Sequence, residues 1–321
     1  MSGNVIARFL ARRLAAAVLV LLVVSVVVFL LIHLAPGGPE QAAGGEFATP
    51  QQLANIRASL GLDDPLAEQY WRFLSNAVGL DFGSSIATRE PVLDAIGRGL
   101  QVTAPLVLVS FLLICTIGTA LGTLTAHRAG GSLDRATVGL ALVGASAPAF
   151  VTALILLTVF GVQLHWLPVF GTGEGFAERA RHLVLPIATL TIAGTAAMLQ
   201  ITRTRVKEVL GEDHVTFARA RGLSSRYIVG RSVLRNAGIQ IVTRSGTIVV
   251  GLVSWGLLVE TTFGLDGVGQ LLVKAINARD IPVIQGVTLV IAAFIVTVNL
   301  VVDLLYFALD PRVRVHAEAR A

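Results

Sequence analysis

The residues best suited to chemistry lie in the stretch 213–238, DHVTFARARGLSSRYIVGRSVLRNAG, a basic segment set between two long apolar runs. It pairs no nucleophile with a base and gathers no metal ligands. What its residue types suit is contact. Val215, Phe217, Ala218 and Ala220 offer a small-residue face beside Arg219 and Arg221. Small side chains let another surface approach closely, and guanidinium groups can pair with its carboxylates. A pair of amphipathic helices lying on anionic headgroups fits the same residues equally well. Asp213 is expected to cap a first short helix, and Glu212 and Asp213 suit its positive end. Gly222 is expected to end that helix in the left-handed conformation. Ser224 then caps a second helix, which runs to about Asn236 and stops at Gly238.

The elements around this segment must hold it at a membrane. At 54% hydrophobic and 14% charged, with mean hydropathy +0.76, the 321 residues are too apolar for soluble domains, in which roughly a quarter of residues are charged. Crossing roughly 30 Å of hydrocarbon takes about 20 helical residues. The segments 10–34, 101–126, 137–162, 183–203, 239–261 and 283–308 meet that requirement. An all-α polytopic membrane protein with six transmembrane helices follows. The first run follows Arg8, Arg12 and Arg13 and extends from Leu14 to Leu34, broken only by Ser25 and His33. It exceeds the apolar core of a signal peptide and is expected to be a retained helix.

Six spans put both termini on one side. The N-terminus, the 127–136 turn, the 203–238 loop with Arg244 and the tail hold 17 of the 25 Lys and Arg. The alternate loops 36–100, 163–182 and 262–282 hold the other 8. That asymmetry predicts cytoplasmic termini. It also accounts for a pI near 10.1 without nucleic acid. The organisation expected is an N-terminus with its first helix (1–35), an external segment (36–97), a membrane domain (98–310) containing the cytoplasmic loop 204–238, and a tail (311–321). Within the external segment, Pro50 to Gly61 is a short helix with its stop signal. Pro65 to Ala77 places Leu66, Tyr70, Phe73, Leu74 and Ala77 at helical spacing. A small external helical cap between helices 1 and 2 is expected.

Charges inside spans are costly and need a reason. Glu260, beside Thr261 and Thr262, either joins Phe263 in an outer gate or substrate path or is an interfacial acid in water; the second is the simpler. Asp303 lies near the inner end of the last span, where the helix dipole disfavours an anion. A partner among Arg203, Arg205 or Arg244 is expected. His33, His165, Trp166 and Trp255 are expected at interfaces or in packing. Pro148 should kink the third span, and Gly118, Gly122, Gly139 and Gly144 suit close helix contact. The lone Cys115 rules out a disulfide framework. The sequence contains no G-x-x-x-x-G-K-[ST], no H-E-x-x-H and no nucleophile elbow. No catalytic residue, cofactor or metal is expected in this chain, and its energy must come from another.

A set of short blocks occurs in a fixed order. It comprises Leu34-Ala35-Pro36-Gly37-Gly38-Pro39, Leu60-Gly61-Leu62-Asp63-Asp64-Pro65 with Gln69-Tyr70, and Asp81-Phe82-Gly83-Ser84-Ser85. Ala147-Pro148-Ala149-Phe150, Trp166-Leu167-Pro168 and Ala218-Arg219-Ala220-Arg221-Gly222-Leu223 come next. Val259 to Leu271 and Arg279-Asp280-Ile281-Pro282 complete it. Together these resemble the ABC-transporter permeases of the dipeptide/oligopeptide (and nickel) importer family, in the subfamily of the first permease subunit. The resemblance implies the type I ABC importer permease fold and a bacterial inner-membrane location. It makes 218–223 part of a coupling helix seated in an ATPase cleft, with Val215, Phe217, Ala218, Arg219, Ala220, Gly222 and Leu223 carrying the coupling. It implies a second homologous permease, two ATPase subunits holding ATP and Mg, an external solute-binding protein, and a peptide substrate crossing the lipid bilayer. Gln240 and Asp266 stand where the family usually has proline; the first change should straighten the start of the fifth span.

Within the family, nickel or glutathione are the rival cargoes. A metal path would recruit His, Cys or Met, yet the chain has six, one and two of these, unclustered. An ion-driven secondary transporter would need mid-depth carboxylates and unwound half-helices. An intramembrane hydrolase would need a nucleophile and a base facing each other at depth. The sequence favours neither.

Overall fold

A computed structural model of the chain describes residues 3–33, 38–45, 48–59, 61–224 and 227–309. Residues 34–37 and 60 of the quoted blocks and the tail 311–321 lie outside the described residues. The helices are α1 (Gly3–His33), α2 (Gly38–Gly44), α3 (Pro50–Ser59), α4 (Leu66–Val78), α5 (Val92–His127), α6 (Ser132–Ser146) and α7 (Ala149–Leu156). They continue with α8 (Gly175–Leu210), α9 (Asp213–Ala220), α10 (Leu234–Phe263), α11 (Val268–Asn277) and α12 (Ile281–Leu309). Wider π-helical turns extend α7 through Leu157–Gln163 and precede α10 at Ile228–Val233.

Among the described residues, five helices are long and apolar enough to cross a membrane, and the bent pair α6–α7, extended through Gln163, makes six when counted as one broken span. Its two halves meet at 101°. The expected kink is therefore a full break, and its cause is local. Pro148 has no N–H to continue the helix, and its ring pushes Ala147 to an extended ψ of 131°. Pro148 then stands at the N-cap of α7.

The chain divides into two compact units. The first comprises Met1–Ala7, Ala104–Gly264 and Val298–Ala321. Its central helix is α8, against which α6, α7 and α10 pack. A Cβ at Gly118 would lie 2.6 Å from Met198 Cβ, and one at Gly122 would lie 2.8 Å from the Leu199 carbonyl oxygen. Only glycine lets α5 approach α8 so closely. A Cβ at Gly144 would lie 3.1 Å from Ile192, whereas one at Gly139 would meet nothing within 4 Å among the described residues, so the close helix contact expected there is not seen among them. At one end of this unit, Ala126, Val206, Val209, Val215, Ile228 and Ala237 form a buried apolar cluster.

The second unit comprises Arg8–Thr103 and Leu265–Thr297. Its core joins Val92, Ile96, Val268, Ala275, Val283 and Val287. Asp280, just ahead of α12, is buried. Its carboxylate accepts the Ser85 hydroxyl at 2.5 Å, the Ile86 N–H at 3.1 Å and the Ala87 N–H at 3.2 Å. Two blocks far apart in sequence, 81–85 and 279–282, thus meet at one carboxylate. The cap is tied down by side chains of α4. The Tyr70 and Ser25 hydroxyls lie 2.9 Å apart, and the Phe29, Tyr70 and Phe73 rings pack together. Gln69 Nε2 donates to the Leu62 and Asp64 carbonyls, which leaves Oε1 to accept from His33 Nε2 at 3.1 Å. His33, expected as an interface residue, is a half-buried tether. Arg57 donates to Asp63 and Glu40, and the hydrogen bond to Asp63 leads in raising its pKa above the ordinary value.

Candidate functional site

The expected docking segment begins where α8 ends at Leu210. Glu212, extended at ψ 150°, is the N-cap, and no side chain caps the helix. Asp213 is therefore the first helical residue rather than the cap, and its carboxylate still lies where the N-terminal dipole favours it. Residues three apart share a helix face. Val215 and Ala218 accordingly turn inward, Val215 fully buried in the apolar cluster and Ala218 packed against it. Phe217 is 70% exposed, Leu223 is 42% exposed, and Arg219 and Ala220 are exposed as well.

The end of α9 is built by backbone alone. Leu223 N–H donates to Ala218 O at 3.2 Å, and Gly222 N–H donates to Arg219 O at 2.9 Å. This crossed pair of bonds closes a helix around one left-handed residue. Gly222 supplies it with φ +77°, and a Cβ there would meet nothing within 4 Å. The glycine is required for its conformation, not for space.

The second helix expected after Ser224 does not stop at Gly238. Ser224 does accept from Tyr227 N–H at 3.4 Å, as a cap would. From there the wide turn runs directly into α10, which continues to Phe263. Gln240 keeps the N–H that a proline would remove, so nothing forces a break at this point.

Charges near α9 form ion pairs. Arg203 grips Asp134 with Nε and Nη2, both at 2.7 Å, and Arg205 pairs with Glu208 at 2.7 Å. Two of the three arginines proposed for Asp303 are thus committed elsewhere. At the other end of α10, Glu260 and Phe263 are each 1% exposed. Glu260 is therefore not an acid in water. Thr261 and Thr262 turn their hydroxyls back onto the Leu257 and Leu258 carbonyls. Trp166 is exposed and packs against Phe160, and Trp255 is half-buried. Among the described residues, no three His, Cys, Asp or Glu side chains converge to hold a metal ion.

Residues 118–315 match the family described as binding-protein-dependent transport system inner membrane component, and residues 6–107 match its N-terminal counterpart. The chain belongs to this family. It is 39% identical over 309 residues to the probable peptide ABC transporter permease protein y4tP of Sinorhizobium fredii, covering 95% of this chain and 99% of that one. It is 38% identical over 306 residues to the glutathione transport system permease protein GsiC of Escherichia coli K12, covering 95% and 98%. Among solved structures, the MetNI methionine ABC transporter in an inward-facing conformation matches with a TM-score of 0.57 at 17% identity. That match covers 67% of this chain and 96% of that one. The fold is that of a type I ABC importer permease, and the chain is a permease subunit of an ABC importer.

In this permease the sequence-selected residues of 215–223 come together on one short helix and its cap, divided between an inward pair and an outward face. Glu260 and Phe263 end up inside the protein. Asp134 was missed. The signal was present, since it is the only carboxylate between Asp94 and Glu174. Asp280 was quoted only within a block, and nothing local pointed to its three donors.

Proposed function

We propose that the chain is the first of two homologous permease subunits of a bacterial inner-membrane importer for short peptides, with α9 as its coupling helix. The observation that carries this reading is the division of α9. Val215 and Ala218 anchor it, while Phe217, Arg219, Ala220 and Leu223 stay open to a partner. A lone eight-residue helix has little stability in water, so one that is anchored yet presents an aromatic and a guanidinium outward suits insertion into a cleft. That cleft belongs to one of two ATPase subunits, which hold ATP and Mg; this chain itself is not a catalyst. The distribution of Lys and Arg supports cytoplasmic termini and a cytoplasmic α9. ATP binding closes the ATPase pair, brings the two coupling helices together and turns the path outward, towards an external solute-binding protein. An outer gate at Glu260, Thr261 and Phe263 fits a shut position, since Glu260 and Phe263 are buried.

The relatives named for peptide and for glutathione support a short-peptide cargo, glutathione being itself a tripeptide. Their nearly equal identities, 39% and 38%, keep glutathione as the second reading. The test is uptake of labelled dipeptides, tripeptides and glutathione by the complete importer in proteoliposomes. Uptake should require ATP and a loaded binding protein. Uptake driven by a proton or sodium gradient without ATPase subunits would overturn the assignment.

A further inference from the structure

Asp134 stands in the first turn of α6 and is 3% exposed. Besides the two bonds from Arg203, it accepts the Gly130 N–H at 2.8 Å. A forked guanidinium–carboxylate contact fixes orientation as well as distance, which a point charge does not. With Asp134 buried and Arg203 half-buried, the pair is a poor source of stability, because apolar residues of similar volume often serve as well as, or better than, ions withdrawn from water. What this one supplies is direction. Arg203 lies on α8 just before Val206 and Val209, which bury against Val215 of α9. The last turns of α8 therefore hold α9 through apolar contact and the start of α6 through the ion pair. α6 leads in turn to the 101° break at Ala147–Pro148.

We infer that Asp134 and Arg203 are positioning residues for transport, binding the start of α6 to the end of α8 so that displacement received at α9 reaches the broken third span. The inference rests on the coupling role proposed for α9. Without the pair, α6 would follow α8 only through their packing, and the start of α6 would no longer move in step with the end of α8. The ATPases would still respond to the loaded binding protein, but less cargo would cross per ATP.

The test uses the complete importer in proteoliposomes with two variants. Asp134→Asn keeps shape and loses charge, and Arg203→Lys keeps charge and loses the fork. Three quantities are read: co-purification of all subunits, ATP hydrolysis stimulated by loaded binding protein, and uptake per ATP hydrolysed. Both variants should assemble and keep stimulated hydrolysis within about twofold, while uptake per ATP falls about tenfold in Asp134→Asn, as expected for an ordinary coupling between sites, and by less, about threefold, in Arg203→Lys, which keeps the charge. Unchanged uptake per ATP in both variants overturns the inference. So does loss of assembly in Arg203→Lys, which makes the pair a folding determinant. Phe217→Ala, run in parallel, separates the two readings. If it leaves stimulated hydrolysis intact, the coupling role of α9 falls and this inference with it. If stimulated hydrolysis is lost there but uptake per ATP is normal in the pair variants, only the inference falls.

Discussion

The helices α4 and α9 are both short, and the chain secures them by different means. α4 is fastened by side chains: Tyr70 to Ser25, Gln69 to His33 and two carbonyls, and three aromatic rings in contact. α9 is fastened by Val215 and Ala218 and is finished by its own backbone at Gly222. Many directional contacts share the load on α4, so removing one leaves the others in place. On α9 a single residue sets the end of the helix and a single valine is its fully buried anchor. An element gripped at few points can keep most of its surface free for another protein.

The two helices should accordingly respond differently to substitution. The largest effect is expected at Gly222→Val, which puts a β-branched residue at φ +77°, where a left-handed conformation costs roughly 1–2 kcal/mol even for an ordinary residue. Stimulated ATP hydrolysis should disappear while the chain still fractionates with membranes, and Gly222→Asn, which tolerates this conformation, should keep most of it. Next comes Phe217→Ala. Its ring is 70% exposed, so stability should move by less than about 0.5 kcal/mol. Stimulated hydrolysis should nevertheless fall about tenfold or more if the ring anchors a partner. Val215→Ala removes buried methyl groups at a cost of about 1–2 kcal/mol, and limited proteolysis should cut near 213–223 faster than in the wild type. The smallest effect belongs to Tyr70→Phe, which gives up one hydrogen bond worth about 0.5–1.5 kcal/mol. Uptake should stay within about twofold, because Phe29 and Phe73 still pack against the ring. If Tyr70→Phe disables transport as thoroughly as Gly222→Val, the contrast between the helices is wrong.

The long helices were legible because lipid demands length and apolarity, and both are local properties of sequence. The cap helices and the glycine stop of α9 were legible for a similar reason: spacing and a single special residue announce them. Pairings across the fold were not. Topology offered Asp303 three candidate arginines, yet one of them, Arg203, is held by Asp134 in the first turn of a different helix. Glu260 looked solvated because it sits near a helix end; its burial depends on packing around α10 that no local pattern encodes. Gly238 carried a stop signal that its neighbours overrode, since glycine merely permits a helix to end. Neither wide turn, at 157–163 or 228–233, has a recognisable signature.

The carboxylate of Asp280 has a consequence for synthesis. Its partner Ser85 leaves the ribosome 195 residues earlier. At typical elongation speeds that interval is roughly 10–40 s. Throughout it, the donors at 85–87 have no acceptor from Asp280, so the nascent segment should stay open to protease in chains arrested before Asp280 and close in chains arrested well beyond it. A residue made late, just ahead of α12, thus locks a segment made much earlier, and a chain truncated before it leaves that segment open.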